Sequence, residues 1–301
     1  MARAGAALLA SPTTVRDALK WATRELSLAG VPSPRLDAEV LLAFLLGWNR
    51  ARLYARPEFV LSEEQRLAFV GLAHRRQRRE PVPYIVGRRE FYDLDFAVDR
   101  RVLIPRPETE VLVERALETA RSLQRHHPHL VLADVGTGSA IVAVSLAVHL
   151  PNATVYATDS SAEALQVAQL NVARHGGTGR VRLLLGKLLE PLPEPVHIIA
   201  ANLPYVPTGD LATVAPDVSQ YEPLGALDGG ADGLESIRTL LAQVPQHLLP
   251  GGAVLLEIGA DQGAAVVGLV ESYLPGARVE LYQDYAGLDR VVRIQPCSDD
   301  P

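Results

Sequence analysis

The chain has 301 residues, of which 48% are hydrophobic and 21% are charged. This balance is typical of a globular protein and excludes a largely disordered chain. The longest apolar runs are far shorter than the roughly 18 residues that a membrane-spanning helix needs. The single cysteine, Cys297, excludes an internal disulfide framework and a cysteine zinc site, so we expect a soluble protein of the reducing cytoplasm.

The net charge of −6 gives no general reason to expect nucleic-acid binding, but the charge is unevenly distributed. Residues 1–85 contain 13 basic and 8 acidic residues and carry +5, whereas residues 86–301 carry −11. The N-terminal part is therefore the part that would face an acidic partner such as RNA or a ribosome-associated protein. Its arginines at positions 75, 76, 78 and 79 fit a solvated helix end equally well.

Residues 11–80 have the sequence pattern of a small helical bundle. Ser11-Pro12 and Ser33-Pro34 each place an N-cap residue before a proline in the first helical turn. Ser62 and Gln65 have the spacing of a capping box. The apolar stretch before these helices stops after seven residues, so we expect a frayed terminus there rather than a signal peptide.

The pattern changes after Pro81 and Pro83. Short apolar segments then lie on either side of Asp93, which predicts two strands joined by a turn. We expect this hairpin over residues 86–103. The following segment reads Pro105-Arg-Pro-Glu-Thr-Glu110 and leads into a further helix.

From residue 130 onward, predicted strands and helices alternate. This alternation gives a parallel sheet covered by helices on both faces, with ligands at the carboxyl ends of the strands. The last two strands, 278–282 and 290–294, are expected to pair antiparallel. The other predicted strands cover residues 130–135, 154–158, 181–185, 196–201 and 253–258, and predicted helices cover 141–150 and 162–175.

A glycine loop follows the first of these strands, in the sequence Asp134-Val-Gly136-Thr-Gly138-Ser-Ala140. Glycines at such a turn let a ligand approach the backbone, and the next helix offers free N–H groups. A nicotinamide-binding loop needs its third glycine at position 141, where this chain has Ile141. The spacing therefore favours S-adenosylmethionine over a dinucleotide.

An acidic residue, Asp159, ends the second strand, 21 residues after Gly138. An acid at this position can accept hydrogen bonds from both ribose hydroxyls of a nucleoside. The alternative is that Asp159 caps the helix beginning near Ala162, a role for which Ser160 and Ser161 compete. The glycine loop upstream favours the ribose role.

The segment Asn202-Leu203-Pro204-Tyr205 follows the strand at residues 196–201. A nitrogen conjugated to a carbonyl or an aromatic ring is a poor nucleophile, so it needs acceptors for its N–H bonds and accurate placement. Oδ1 of Asn202 and the carbonyl of Leu203 can supply those acceptors. Pro204 stiffens the turn and Tyr205 can pack on a planar group. The simpler alternative is a structural asparagine in a proline turn.

These motifs together resemble the protein-(glutamine-N5) methyltransferases that modify peptide chain release factors. That family combines an N-terminal helical bundle, a hairpin, a Pro-Arg-Pro-x-Thr-Glu segment, a class I methyltransferase sheet and an Asn-Pro-Pro-Tyr motif. The resemblance extends from about residue 11 to residue 294. Further matching segments are Glu222-Pro223, Ala226-Leu227, Asp232-Gly233-Leu234 and Asp284 to Arg290.

The resemblance implies a Rossmann-like α/β catalytic domain at residues 104–301, with a mostly parallel sheet and an antiparallel C-terminal strand. It also implies a helical substrate-docking domain at residues 1–85 and a hairpin linker at residues 86–103. The residues expected to bind S-adenosylmethionine are Gly136, Thr137, Gly138, Ser139, Ala140, Asp159, Leu188 and Asn202. The residues expected to bind the acceptor and to act in catalysis are Asn202, Leu203, Pro204 and Tyr205.

Several positions depart from the family pattern. Ala140 stands where the family has a third glycine, and Leu203 replaces the first proline of the substrate motif. Lys187 and Leu188 stand where the family has an acid and an aromatic residue near the adenine. Asn-Leu-Pro-Tyr also occurs in ribosomal RNA adenine dimethyltransferases, which lack the helical bundle and the Pro-Arg-Pro-Glu-Thr-Glu segment.

The reaction that the resemblance implies is methyl transfer from S-adenosylmethionine to the side-chain amide nitrogen of the Gly-Gly-Gln glutamine in class 1 release factors. We expect no metal, no membrane and no direct nucleic-acid binding, and we expect His197 to be a packed side chain. An adenine N6-methyltransferase of RNA or DNA is one alternative, although it predicts a basic cleft. An inactive cofactor-binding module is the other, against which Asn202, Pro204 and Tyr205 argue.

Overall fold

The computed structural model describes residues 13–297, which form two compact units. We call them the helical unit, residues 13–87 with 215–221, and the sheet unit, residues 88–214 with 222–297. Each unit has its own hydrophobic core. The frayed terminus and the N-cap predicted at Ser11 lie outside the described residues.

The helical unit contains the helices that the N-terminal sequence predicts. Thr14 caps the first helix, because its hydroxyl accepts from the Asp17 N–H and the Asp17 carboxylate accepts from the Thr14 N–H. The capping box at Ser62 and Gln65 is confirmed. The helices are α1 (Val15–Leu28), α2 (Pro34–Leu46), α3 (Arg50–Ala55), α4 (Glu63–Gln77) and α5 (Val82–Val86), with a short helix at Pro216–Ser219.

The segment at residues 215–221 belongs to the helical unit because of its charges. Arg76 is 4% exposed and forms salt bridges with Asp37 and Asp217, each at 2.7 Å between nitrogen and oxygen. Arg79 also pairs with Asp217. A buried arginine is stable here because two carboxylates compensate its charge. These ion pairs accompany the grouping of residues 215–221 with the helical unit.

The predicted hairpin forms around a two-residue turn. Tyr92 and Asp93 both have positive φ, 50° and 58°, as the tight turn of a twisted hairpin requires. Phe91 and Phe96 are buried in a core of the sheet unit. The hairpin is therefore part of that unit. Its strands are β1 (Arg88–Phe91) and β2 (Leu94–Ala97).

One seven-stranded sheet forms the centre of the sheet unit. Its strands are β3 (Val131–Val135), β4 (Thr154–Asp159), β5 (Val181–Leu185), β6 (Val196–Asn202), β7 (Leu248–Glu257), β8 (Arg278–Gln283) and β9 (Asp289–Gln295). Their order is β5-β4-β3-β6-β7-β9-β8, parallel as far as β7 and antiparallel at β9 and β8. This confirms the predicted mostly parallel sheet with an antiparallel C-terminal pair.

Helices cover both faces of the sheet. They are α6 (Thr109–Leu123), α7 (Ile141–His149), α8 (Ala162–Arg174), α9 (Glu235–His247) and α10 (Gly263–Tyr273). Leu132 of β3 lies in the core shared with α6, α7 and α8, whereas Ala133 and Val135 lie in the core shared with α9 and α10. Strands buried on both faces read as continuous apolar runs, which is the pattern the sequence shows.

The strand order places the candidate site. From β3 the chain adds β4 and β5 on one side, and then adds β6 and β7 on the other. Such a reversal leaves a crevice at the carboxyl ends of the central strands. Val135, Asp159 and Asn202 end β3, β4 and β6, so the motifs that follow these strands lie at one edge of the sheet.

Candidate active site

A cavity of about 420 Å³ lies at this edge of the sheet. Cavities of roughly 300–1,000 Å³ are typical of small-molecule sites. Its lining includes residues from the ends of three strands and from the loop before α9. The sequence-predicted residues that line it are Gly136, Gly138, Asp159, Leu188, Asn202, Leu203 and Pro204.

Asp134 holds the glycine loop in place through hydrogen bonds. This carboxylate is 2% exposed and accepts from the Thr137 hydroxyl at 2.6 Å and from the Ala143 N–H at 2.9 Å. Burial raises the pKa of Asp134 to about 6, although both hydrogen bonds oppose the rise. No role was predicted for Asp134. Its signal was a carboxylate at the end of an apolar strand, immediately before the glycines.

The two glycines of the loop serve different purposes. A Cβ on Gly136 would lie 3.3 Å from Cδ2 of Leu203 and 3.5 Å from the Asn202 carbonyl oxygen, at a φ of +72°. Gly136 therefore lets the loop pack on the Asn202–Leu203 segment. Gly138 has a φ of +54°, and a Cβ there would meet no atom within 4 Å. Because Gly138 lines the cavity, it leaves that space open for a ligand.

Asp159 connects the glycine loop to α8. Its Oδ2 accepts from the Gly138 N–H at 2.9 Å, and its Oδ1 accepts from the Ser161 N–H at 2.8 Å. Ser161, and not Asp159, is the N-cap of α8, with its hydroxyl accepting from the Ala164 N–H. Each oxygen of Asp159 keeps a lone pair for a further donor at the cavity wall. The capping alternative for Asp159 is therefore excluded.

The remaining predicted cofactor residues occupy three different places. Leu188 lines the cavity with a φ of +51°, and its carbonyl accepts from the Thr158 hydroxyl at 2.8 Å. Thr137 and Ser139 line a smaller recess of about 40 Å³ that also touches Asn202. Ala140 is fully buried with a φ of 63° and lines neither space.

Asn202 lies at the end of β6 and lines both spaces. Its Nδ2 donates to the Thr109 hydroxyl at 3.1 Å, which fixes the orientation of the amide. Leu203 is 4% exposed, and Pro204 lines the cavity. Tyr205 does not line it: its carbonyl accepts from Gln262 at 3.0 Å, and burial, together with the charge of Glu257, raises the pKa of its phenol.

The Pro-Arg-Pro segment is held by a residue to which the sequence assigned no role, Glu222. This buried carboxylate accepts from Arg106 Nη2 at 2.6 Å and from the Ile104 N–H at 3.1 Å. The two contacts fix the backbone at Leu103 and Pro105, which line the recess beside Asn202. Thr109, the partner of Asn202, begins α6 directly after this segment.

Metal-binding clusters and membrane-spanning helices can be assessed in residues 13–297, the part of the chain that the structure describes. Within that range, no three His, Cys, Asp or Glu side chains are grouped so that they could hold a metal ion. None of the helices in the same range has the length and apolarity needed to cross a bilayer. His197 is half-buried in β6, where its Nδ1 accepts from the Val131 N–H at 3.1 Å, so the packed role predicted for it is confirmed.

Comparisons with known proteins agree with this architecture. Residues 17–87 match the PrmC N-terminal domain family, and residues 108–220 match the ribosomal protein L11 methyltransferase (PrmA) family. The fold is similar to that of the hMettl16 catalytic domain in complex with MAT2A 3'UTR hairpin 1, with a TM-score of 0.55 over 82% of this chain and 85% of that chain, at 12% identity. The sheet unit therefore has the fold of a class I methyltransferase.

Full-length relatives define the family more closely. The release factor glutamine methyltransferase of Geobacter sulfurreducens is 42% identical, over 93% of this chain and 95% of the relative. That of Moorella thermoacetica is 45% identical, over 92% of this chain and 96% of the relative. The chain belongs to the release factor glutamine methyltransferase family, whose enzymes use S-adenosylmethionine as the methyl donor.

Proposed function

We propose that this chain transfers a methyl group from S-adenosylmethionine to the side-chain amide nitrogen of the glutamine in the Gly-Gly-Gln motif of class 1 release factors. One observation carries the proposal. Nδ2 of Asn202 donates to Thr109, so Oδ1 is left to accept a hydrogen bond from an acceptor amide at the cavity. The reaction modifies a protein of translation termination, and we place it in the cytoplasm.

The cavity fits S-adenosylmethionine in size and in chemistry. Gly138 leaves space where a side chain would project, which allows the ligand to approach the backbone. Asp159 presents carboxylate lone pairs suited to the ribose hydroxyls, and Leu188 gives an apolar wall suited to adenine. Lys187, on the same wall, replaces the acid of the family pattern. These residues hold the cofactor, which when bound supplies an electrophilic methyl group.

The residues at the end of β6 act by positioning the acceptor. An amide nitrogen has a delocalised lone pair, so its reactivity depends on how well its plane and its distance from the methyl group are fixed. Oδ1 of Asn202 and the carbonyl of Leu203 accept its two N–H bonds, and Pro204 restricts the backbone of Leu203, the residue before it. Holding the reacting atoms about 3–3.5 Å apart can supply much of the rate enhancement.

The helical unit is the proposed docking surface for the release factor. Residues 1–85 carry +5, opposite in sign to the −11 of the remainder. A chain that starts at Val86 should bind S-adenosylmethionine as the full chain does, yet methylate the intact release factor poorly. Unchanged methylation by the shortened chain would assign residues 1–85 another role. In the shortened chain, Asp217 would lose its ion pairs with Arg76 and Arg79. Asp217→Asn in the full chain weakens the same pairs without removing residues 1–85, and it is therefore the matched control.

The test of the proposed function is a side-by-side acceptor assay. A purified class 1 release factor and RNA are each incubated with the enzyme and labelled methyl donor, and intact mass and peptide mapping locate the label. We expect one methyl group on the glutamine of the Gly-Gly-Gln motif, and none on a release factor in which that glutamine is replaced by glutamate. Label on RNA adenine, with none on the protein, would establish the adenine methyltransferase instead.

A further inference from the structure

Glu257 is a buried carboxyl beside the proposed acceptor site to which the mechanism above gives no role. It ends β7 in direct register with Asn202, the last residue of β6. Its side chain is 1% exposed, and its Oε2 is buried without a hydrogen-bond partner among the described residues. Burying an acceptor in this way is costly. A packing role would be filled better by an apolar residue, like the others in this strand.

Glu257 lies beside a polar pair formed by the Asn202 amide and the Thr109 hydroxyl. Nδ2 of Asn202 donates to Oγ1 of Thr109 at 3.1 Å. Asn202 and Glu257 are direct partners in the register of β6 and β7, and the Thr109 hydroxyl and the Asn202 side chain both lower the pKa of the Glu257 carboxyl. An ionised carboxylate can only accept hydrogen bonds, so it requires the donor end of Asn202 to face it. Oδ1 of Asn202 is thereby directed away from Glu257.

The surroundings of Glu257 place its pKa near neutral pH. Burial raises its pKa to about 7 and Glu108 adds to the rise, whereas Thr109, Arg290 and Asn202 oppose it. Arg290 is engaged elsewhere, because it pairs with Asp284 at 3.1 Å and donates to the Ile258 carbonyl at 3.1 Å. The charge of Glu257 also raises the pKa of the Tyr205 phenol.

We propose that ionised Glu257 is a positioning residue that fixes the Asn202 amide, through Thr109 and directly, with Oδ1 toward the acceptor nitrogen. This inference rests on the proposed function, since it assigns Asn202 the role of accepting from the glutamine amide. When Glu257 is protonated, its own O–H becomes a donor. That donor competes for Oδ1 of Asn202 or for the Thr109 oxygen, and the productive orientation of the amide is lost.

The experiment measures kcat and KM for release factor methylation across about pH 6 to 9 in the wild type and in Glu257→Gln, Thr109→Val and Thr109→Ser. For the wild type we expect kcat to fall below an apparent pKa of about 7. Glu257→Gln should lower kcat at pH 8 by roughly 10–100-fold and abolish this pH dependence, the scale on which a supporting residue acts. Thr109→Val should lower kcat similarly, whereas Thr109→Ser, which keeps the hydroxyl, should restore it.

Calorimetric S-adenosylmethionine affinity, unchanged in all three variants, shows that the folded site survives each substitution. Wild-type kcat with the same low-pH decline in Glu257→Gln would overturn the inference, and so would full activity of Thr109→Val. A wild-type enzyme that transfers no methyl group to glutamine would instead overturn the proposed function. The two failures are therefore distinguishable.

Discussion

Glu39 of the helical unit and two buried carboxyl groups of the sheet unit, Asp134 and Glu257, are stabilised in different ways. Burial acts to raise the pKa of Glu39 in the helical unit, but hydrogen bonds from Tyr54 and two arginines outweigh it and lower the pKa. In the sheet unit, Asp134 accepts from a hydroxyl and a backbone N–H, whereas Oε2 of Glu257 has no hydrogen-bond partner among the described residues, and burial raises the two pKa values to about 6 and about 7.

This difference separates structural from functional charge. A buried carboxylate beside arginines stays ionised over the ordinary pH range and fixes how helices pack. A buried carboxyl without a cationic partner in contact has a pKa raised toward neutral pH. Such perturbed pKa values are concentrated at functional sites. Asp134 and Glu257 both lie toward the carboxyl ends of central strands, the edge of the sheet where the cavity opens.

The largest expected effect is on the stability of the helical unit. Arg76→Ala leaves Asp37, which is 7% exposed, buried without its cation. Breaking one side of a buried pair costs about 3–5 kcal/mol, so denaturant unfolding should show a loss on that scale. Arg16→Ala, which breaks an exposed pair with Glu58, is the control and should cost about 0–1 kcal/mol. Equal losses of stability in the two variants would contradict the expected difference between buried and exposed ion pairs.

The next effect is catalytic and belongs to the sheet unit. Asn202→Ala removes the proposed acceptor of the glutamine N–H, and turnover should fall by roughly 10²–10³-fold, the scale for losing one preorganised polar group. S-adenosylmethionine binding should persist. Asn152→Ala, at the opposite end of the sheet, is the control and should leave turnover unchanged. Retained turnover in Asn202→Ala would assign this side chain a structural role.

The third effect is the pH dependence of stability. The folded pKa of Glu257 is about 7, above the ordinary value of 4.5, so the folded state binds the proton more tightly than the unfolded state does. Stability should therefore fall as pH rises from about 4.5 to about 7, by up to about 3 kcal/mol from this group. Glu257→Gln removes that contribution, and its unfolding free energy should vary less over this range. Parallel pH curves for both proteins would contradict the assignment.

Asp159→Ala should have a smaller effect, on cofactor affinity. The substitution removes the acceptor of the Gly138 N–H and of the expected ribose hydroxyls. Hydrogen bonds to a charged group are worth about 1.5–3 kcal/mol, so calorimetry should show S-adenosylmethionine affinity lowered by roughly 10–100-fold. Asp159→Asn keeps one side-chain oxygen and should lose less. If Asp159→Ala binds as tightly as the wild type, the ribose site lies elsewhere.

Much of the sheet unit could be predicted because its signals are local. Gly136, Gly138 and Asp159 follow apolar strands, and parallel strands bring their carboxyl ends to one edge. Glu257 carried a weaker local signal, as a lone charge in the apolar run 253–258, and no role was predicted for it. The role of Thr109 had no local signal, since its contact with Asn202 joins residues 93 positions apart.

Residues 215–221 show the same limit in the helical unit. The family resemblance implies a catalytic domain at residues 104–301, which includes this segment. Its place is decided by Asp217 meeting Arg79, 138 positions earlier in the chain, and Arg76. Ion pairs between distant residues leave no pattern in a single sequence. The elements were predictable, and the side-chain contacts between distant elements were not.

The smallest expected effect concerns Ala140, which stands where the family has glycine. Its left-handed backbone costs an ordinary residue about 1–2 kcal/mol, which Ala140→Gly would relieve. The same change removes a fully buried methyl group worth about 0.8 kcal/mol. It also raises the conformational entropy of the unfolded chain, which lowers the stability by about 0.4–1 kcal/mol. Because these terms nearly cancel, the unfolding free energy should change by less than about 0.5 kcal/mol.

Cofactor affinity should not change in Ala140→Gly, because this side chain lines neither space. Gly138→Ala is the informative contrast, since it adds a methyl group two residues earlier where the cavity is open. That variant should bind S-adenosylmethionine more than about tenfold more weakly, a loss of about 1.4 kcal/mol. A large gain in affinity for Ala140→Gly would show instead that the methyl group of Ala140 reaches the cofactor, and that the loop moves when the cofactor binds.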